Sequence, residues 1–299
     1  MISLLKKLLS LRAPVATDEI NARLPIHLTA HMTCAGIATA MAQKKPFLVS
    51  RLGWFETYSI GYHDKHGKIS EALRTKMWNT PGIFPPEFGE FEKFYSEYTL
   101  AMKSVDILGL MRCPFEKLVI ARHAPGALLC ELADLEPYYH PVPWSQYLEG
   151  LKVLVVHPFA ESIENQYSTV RDKLFINRSI LPNFHLQTLK PPQTLCGNTD
   201  GHRSWSAALQ ALKERIAPLE FDVAIVGCGA YGLPVSSFIK HMGRSCIHIG
   251  GATQTLFGIS GGRWSGVSPM KLYMNSSWTR PSTSERPPNW EQAEEGCYW

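Results

Sequence analysis

The stretch Phe221-Asp-Val-Ala-Ile-Val-Gly-Cys-Gly-Ala-Tyr-Gly232 constrains this chain more than any other part of it. An apolar run, Asp222 to Val226, reads as a strand and enters Gly227-x-Gly229-x-x-Gly232; Tyr231 to Met242 then reads as a helix, with Pro234 tolerated in its first turn. Strand, glycine turn and helix in that order make a phosphate cradle. The glycines let the backbone turn sharply and approach a ligand, and the free N–H groups and dipole of the helix start favour an anion. The candidate phosphate- or nucleotide-binding residues are therefore Gly227, Gly229, Ala230, Tyr231 and Gly232, against the competing reading of a purely structural tight turn.

The rest of the second half repeats the alternation. Lys152 to Phe159 reads as a buried strand, Glu161 to Phe175 as a helix, Phe184 to Leu189 as a short strand, Ser204 to Leu219 as a helix and Ser245 to Ile249 as a strand. In the first half Pro46 to Arg51, Asp106 to Met111 and Leu128 to Leu132 read as strands and Glu90 to Lys103 as a helix, continuing the same sheet. This succession predicts an α/β, Rossmann-like fold: a mostly parallel sheet with helices on both faces. One domain over residues 46–270 is expected, preceded by a helical segment (1–45) and followed by a tail (271–299). That tail is rich in Pro and Ser, but its aromatic end predicts that it packs on the body.

Composition narrows the function classes. Of the 299 residues 45% are hydrophobic and 19% charged, enough apolar material for a core. The net charge of +4 comes from scattered Lys and Arg, which argues against a nucleic-acid partner. Seven cysteines without a CxxC pair fit reduced thiols and give no zinc site. No apolar run reaches membrane-spanning length, so a soluble, cytoplasmic protein is expected. Met1 to Leu11, amphipathic if helical, reads either as a first helix docked on the globule or as a peripheral contact with the inner membrane.

Ligand candidates follow from strand ends, where open α/β sheets collect ligands. A dinucleotide site would place an acid at the end of the strand after the glycine turn, yet that strand reads Cys246-Ile-His-Ile-Gly-Gly251; Gly250 and Gly251 suggest a second close approach of backbone to ligand instead. Arg51 ends the first strand and Glu56 lies just beyond it, with a surface ion pair as the alternative, and His157, near the end of Lys152 to Phe159, and Glu161, just after it, are candidates to line the site. Lys240 adds a positive charge within the glycine-turn helix. His63-Asp-Lys-His66 reads better as loop than as a metal cluster, His27 and His31 as ordinary helix residues, and Asp222 as a strand-end residue. Gln254 and Arg263-Trp264 divide evenly between ligand contact and structural loop.

Several of these pieces together resemble the bacterial glycosyltransferases of the GT-D fold found with polysaccharide biosynthesis. Arg51-Leu-Gly53-Trp-Phe-Glu56 is similar to that family's Arg-x-Gly-Asp-x-Glu stretch, and Asn79-Thr-Pro-Gly-Ile-Phe-Pro85 to its Asn-Ala-Gly-Phe-Phe segment. Val155 to Ser162, Gly227 to Lys240 and Ile247 to Gly250 resemble later stretches, so the likeness runs with gaps over residues 46–264. It implies transfer of a sugar from a nucleotide-sugar donor to a glycan or lipid-linked glycan, with Glu56 as base or metal ligand, the turn amides on phosphate, and Arg51 and Lys240 adding charge. It also implies a manganese or magnesium ion, but Trp54 stands where the family has its Asp, and indole offers such a cation no oxygen. Two other classes compete: a Rossmann-like enzyme using NAD or S-adenosylmethionine, and a non-catalytic nucleotide-sugar-binding protein.

Overall fold

The computed structural model describes residues 24–265 and 269–299. Seven strands of four or five residues form, and successive strands are joined by crossovers because parallel neighbours cannot be joined by a tight turn. In chain order the elements are α1 (Ala30–Ala42), β1 (Leu48–Arg51), α2 (Trp54–His66), α3 (Glu71–Asn79), α4 (Phe88–Met102), β2 (Ile107–Leu110), α5 (Glu116–His123) and β3 (Leu128–Glu131). After three short 3-10 turns come β4 (Lys152–Val156), α6 (Ala160–Leu174), β5 (His185–Leu189), α7 (Trp205–Ile216), β6 (Val223–Val226), α8 (Gly232–His241), β7 (Ser245–His248), α9 (Ala252–Leu256) and α10 (Gly262–Ser265).

The strands form one sheet in the order β3-β2-β1-β7-β6-β4-β5, with every pairing parallel. Alternate side chains leave each strand for opposite faces, and the two faces carry separate cores. Leu48, Leu108, Leu154, Val156, Ala224, Val226 and Cys246 pack with α4, α7 and α8 on one face. Val49, Ile107, Val153, Val155, Ile225 and Ile247 pack with α1, α6 and α9 on the other. Burial on both faces explains why these strands read as continuous apolar runs rather than as alternating ones.

The seven expected strands all form, most of them a residue or two shorter than the apolar runs. The expected helices Glu90 to Lys103, Glu161 to Phe175, Ser204 to Leu219 and Tyr231 to Met242 form too, and the first half holds α2, α3 and α5 besides, α2 and α3 between β1 and β2 and α5 between β2 and β3. Met1 to Leu11 lies outside the described residues. Past residue 270 the chain runs in short 3-10 turns back over the second face: Trp299 is buried edge-on against Phe159 (5.8 Å between ring centres), and its carbonyl accepts from Arg280 Nη1 at 2.7 Å. Among the described residues, no helix is long and apolar enough to cross a membrane.

Candidate functional site

The sheet has two switch points, where neighbouring strands lead into helices on opposite faces. β4 is followed by α6 on one face and its neighbour β6 by α8 on the other, so the loops at His157 and Gly227 leave in opposite directions. β1 and β7 diverge likewise, β1 into α2 on the first face and β7 into α9 on the second. Such switch points are where open parallel sheets bind ligands.

The glycine turn is packed from several sides. A Cβ at Gly227 would lie 2.4 Å from the Gly250 carbonyl, 2.7 Å from Thr253 Oγ1 and 2.9 Å from His157 Cδ2. The loops after β4, β6 and β7 therefore meet at a point only glycine can occupy. Gly229 (φ +57°) is the exposed residue of the turn, with the carbonyl of Pro81 nearby. Ala230, Tyr231 and Gly232 are buried: Tyr231 stacks on Trp205 and its hydroxyl meets Thr194 Oγ1 at 2.7 Å. Thr194 in turn donates to the Gly82 carbonyl, so the Asn79 to Pro85 segment lies against the turn.

Both histidines at these strand ends are neutral. Burial pushes His157 down to about 3; its Nδ1 accepts from the Phe159 N–H at 3.0 Å, which places the ring proton on Nε2. His248 is held at about 3 by burial and then by the nearby Arg51 charge; its Nδ1 lies 2.9 Å from Ser50 Oγ, across the β1–β7 switch point. Thr253 Oγ1 and Gln254 Oε1 are buried with no hydrogen-bond partner among the described residues.

Arg51 ends β1 with its guanidinium beside the Gly250 backbone: a Cβ at Gly250 (φ +59°) would lie 3.0 Å from Arg51 Cδ. Its Nη2 donates to Met111 Sδ at 3.5 Å. Glu56 is the third residue of α2 and folds back over the helix start, its Oε2 lying 2.0 Å from where a Cβ of Gly53 would be. The Glu56 and Arg51 charges are both felt by buried Tyr98, whose hydroxyl accepts from the Gly53 N–H; burial, and then Glu56, raise its pKa. Trp54, at the head of the same helix, stacks on Tyr58 (5.5 Å, 5° between planes). With an indole there and no group of three metal-ligating side chains among the described residues, this donor set does not fit a divalent cation.

Two candidates lie apart from these residues. Lys240 is eight residues into α8, roughly 12 Å from the turn at 1.5 Å per residue, and clamps Asp106 (2.7 Å) and the Ser104 carbonyl at the amino edge of the sheet. Glu161 is exposed and turned to the C-terminal segment: its Oε2 accepts from Ser284 Oγ at 3.1 Å, while its N–H donates to the buried Glu285 carboxylate at 2.8 Å. That carboxylate caps α6, filling a helix start where an anion would bind. Gln254 donates to the Ile259 and Tyr298 carbonyls, and Trp264 and Tyr298 cover Gly251.

The strongest addition is Glu136, beyond the end of β3. A chain turn brings it within the field of Arg51; burial raises its pKa, while the Tyr138 hydroxyl and then Arg51 lower it. Applied to Leu128 to Leu132, the strand-end rule that finds Arg51 would have found it.

No family model matches this chain, and neither a curated protein nor a solved structure matches it.

Proposed function

We propose that the chain is a glycosyltransferase that binds a nucleotide sugar across the two switch points. The observation that carries the reading is Arg51, a guanidinium at the carboxyl end of β1 held beside the Gly250 backbone, one strand away from the glycine turn of β6. A planar guanidinium suits bidentate contact with a departing diphosphate, and exposed Gly229 lets phosphate approach the turn. Because the described residues hold no group of three metal-ligating side chains, this reading assigns neutralisation of the leaving group to Arg51 and the backbone N–H groups of the turn. The acceptor hydroxyl of a glycan or lipid-linked glycan attacks the anomeric carbon, the bond from that carbon to the phosphate oxygen breaks, and the nucleoside diphosphate leaves with the electron pair. A cytoplasmic setting, beside the machinery of polysaccharide synthesis, belongs to the same reading.

A dinucleotide enzyme finds less support, because the strand beside the glycine turn ends in neutral His248 rather than in a ribose-binding acid. Trp54 favours a different second reading, a nucleotide-sugar-binding protein without turnover. Thermal stabilisation by a panel of nucleoside diphosphates and their sugars, beside NAD and S-adenosylmethionine and with or without manganese, separates the three. A ligand at 100 times its Kd adds about 2.7 kcal/mol. Stabilisation by one nucleoside diphosphate without manganese, followed by sugar release or transfer, supports the enzyme; binding without turnover supports the second reading. Stabilisation by NAD or S-adenosylmethionine alone removes both.

A further inference from the structure

Glu136 sits at the head of a short hydrogen-bond chain at the carboxyl edge of the sheet. The Tyr138 hydroxyl bonds Glu136 Oε2 and lies 3.0 Å from Thr255 Oγ1, which is 2.9 Å from the Ala252 carbonyl. Following the protons shows what this arrangement accommodates. With Glu136 ionised, Tyr138 donates to the carboxylate, and Thr255 donates to the Tyr138 oxygen or to Ala252. With Glu136 protonated, the carboxyl donates to Tyr138, Tyr138 to Thr255 and Thr255 to Ala252, and every proton still has an acceptor. Both charge states are hydrogen-bonded without moving a heavy atom, a property that a fixed counter-ion does not need. Nor is Glu136 such a counter-ion: Arg51 acts on it through space, and no ion pair between described residues joins the two.

We propose that Glu136 is the general base of the transfer described above, taking the proton of the acceptor hydroxyl as its oxygen bonds to the anomeric carbon. This rests on the glycosyltransferase reading. The hydroxyl O–H bond breaks, its proton passes to the Glu136 carboxylate, the new carbon–oxygen bond forms, and the nucleoside diphosphate departs with the electrons of the old one. Glu136 is shifted by burial, which raises it, and then by the Tyr138 hydroxyl of its own turn and Arg51 of β1, which lower it; Thr255 of α9 bonds Tyr138, and Tyr139 faces the carboxylate as a further phenol that Glu136 raises. Burial from the elements around it makes the carboxylate a stronger base than a solvated one.

Glu136→Gln keeps an acceptor for Tyr138, so the fold should be retained. Its kcat is expected to drop by about 10²- to 10⁴-fold with donor KM little changed, and the acid limb of the pH profile to disappear. Tyr138→Phe removes a donor that favours the carboxylate, so its acid limb moves to higher pH. Wild-type turnover in Glu136→Gln, or an unmoved limb in Tyr138→Phe, overturns the assignment. Stability gives a readout apart from turnover. Because the folded-state pKa of Glu136 is raised, its contribution is present at low pH and lost as pH rises from about 4.5 through the folded value. Glu136→Gln should gain on wild type across that window, and a pH-independent difference would count against the titration. Wild-type protein that turns over no nucleotide sugar overturns the transfer reading and the base with it, whereas active wild type beside equally active Glu136→Gln overturns the base alone.

Discussion

The imidazole of His248 fills the space that a side chain at Gly232 would take, its Nε2 2.3 Å from the position of a Cβ there. The third glycine of the turn is therefore a packing partner of the next strand. Gly232→Ala is expected to cost about 1–3 kcal/mol by overpacking. Combining it with His248→Ala should recover part of that loss, a coupling read from denaturant melts of the two single variants and the double one. Additive effects would show that the two residues do not share this space.

Gly53 and Glu56 stand in a similar relation, but the clashing group is the mobile end of a side chain. Gly53→Ala should displace the Glu56 carboxylate and leave the backbone in place, lowering stability by about 1 kcal/mol, since glycine is a better N-cap than alanine. Nucleotide-sugar turnover should fall much further than stability. Equal activity in the variant would remove Glu56 from the site.

Arg51→Lys retains the charge and loses the fork of donors. The protein should fold, and its stabilisation by nucleoside diphosphate in a thermal melt should be largely lost. A shift as large as that of wild type would mean that phosphate binds elsewhere.

Lys240→Ala serves as the matched control. The pair with Asp106 is partly exposed, the two side chains being 22% and 47% accessible, so the loss of stability should stay near 1 kcal/mol or below after solvent screening. Stabilisation by nucleotide should be unchanged.

His157 and His248 predict how acid acts on the fold. Their folded pKa values, about 3, lie below the unfolded value of 6.5, so the stability they contribute is complete above pH 6.5 and is lost as pH falls toward 3. Melts of His157→Asn and His248→Asn between pH 7 and 4 should each show a shallower decline than wild type. Parallel curves would mean that neither imidazole resists protonation.

The central strands were legible because both of their faces are buried, which leaves unbroken runs such as Val153 to Val156, and the glycine turn because a side chain at Gly227 or Gly232 would clash with its neighbours. The first-half helices were harder. Buried Glu56, Thr57, Ser59 and Ile60 in α2 mix polar and apolar types, so the stretch lacks a clean apolar stripe. Lys240 follows the turn closely in sequence, but a helix carries it to the far edge of the sheet. Glu136 comes within the field of Arg51 because β3, β2 and β1 lie side by side, an order that no spacing along the chain records.

The central position of β7 also governs the order in which the site can be assembled. Ser50 and His248 are 198 residues apart, and β7, which joins β1 to β6, leaves the ribosome after every other strand of the sheet. During synthesis the part carrying Arg51 and Glu136 and the part carrying the glycine turn grow as two partial sheets, each with an open edge that β7 will later cover. Pairing over so long a loop is slow, and unpaired edges invite wrong partners. The nascent chain is therefore most exposed to aggregation just before its ligand-binding surface is complete.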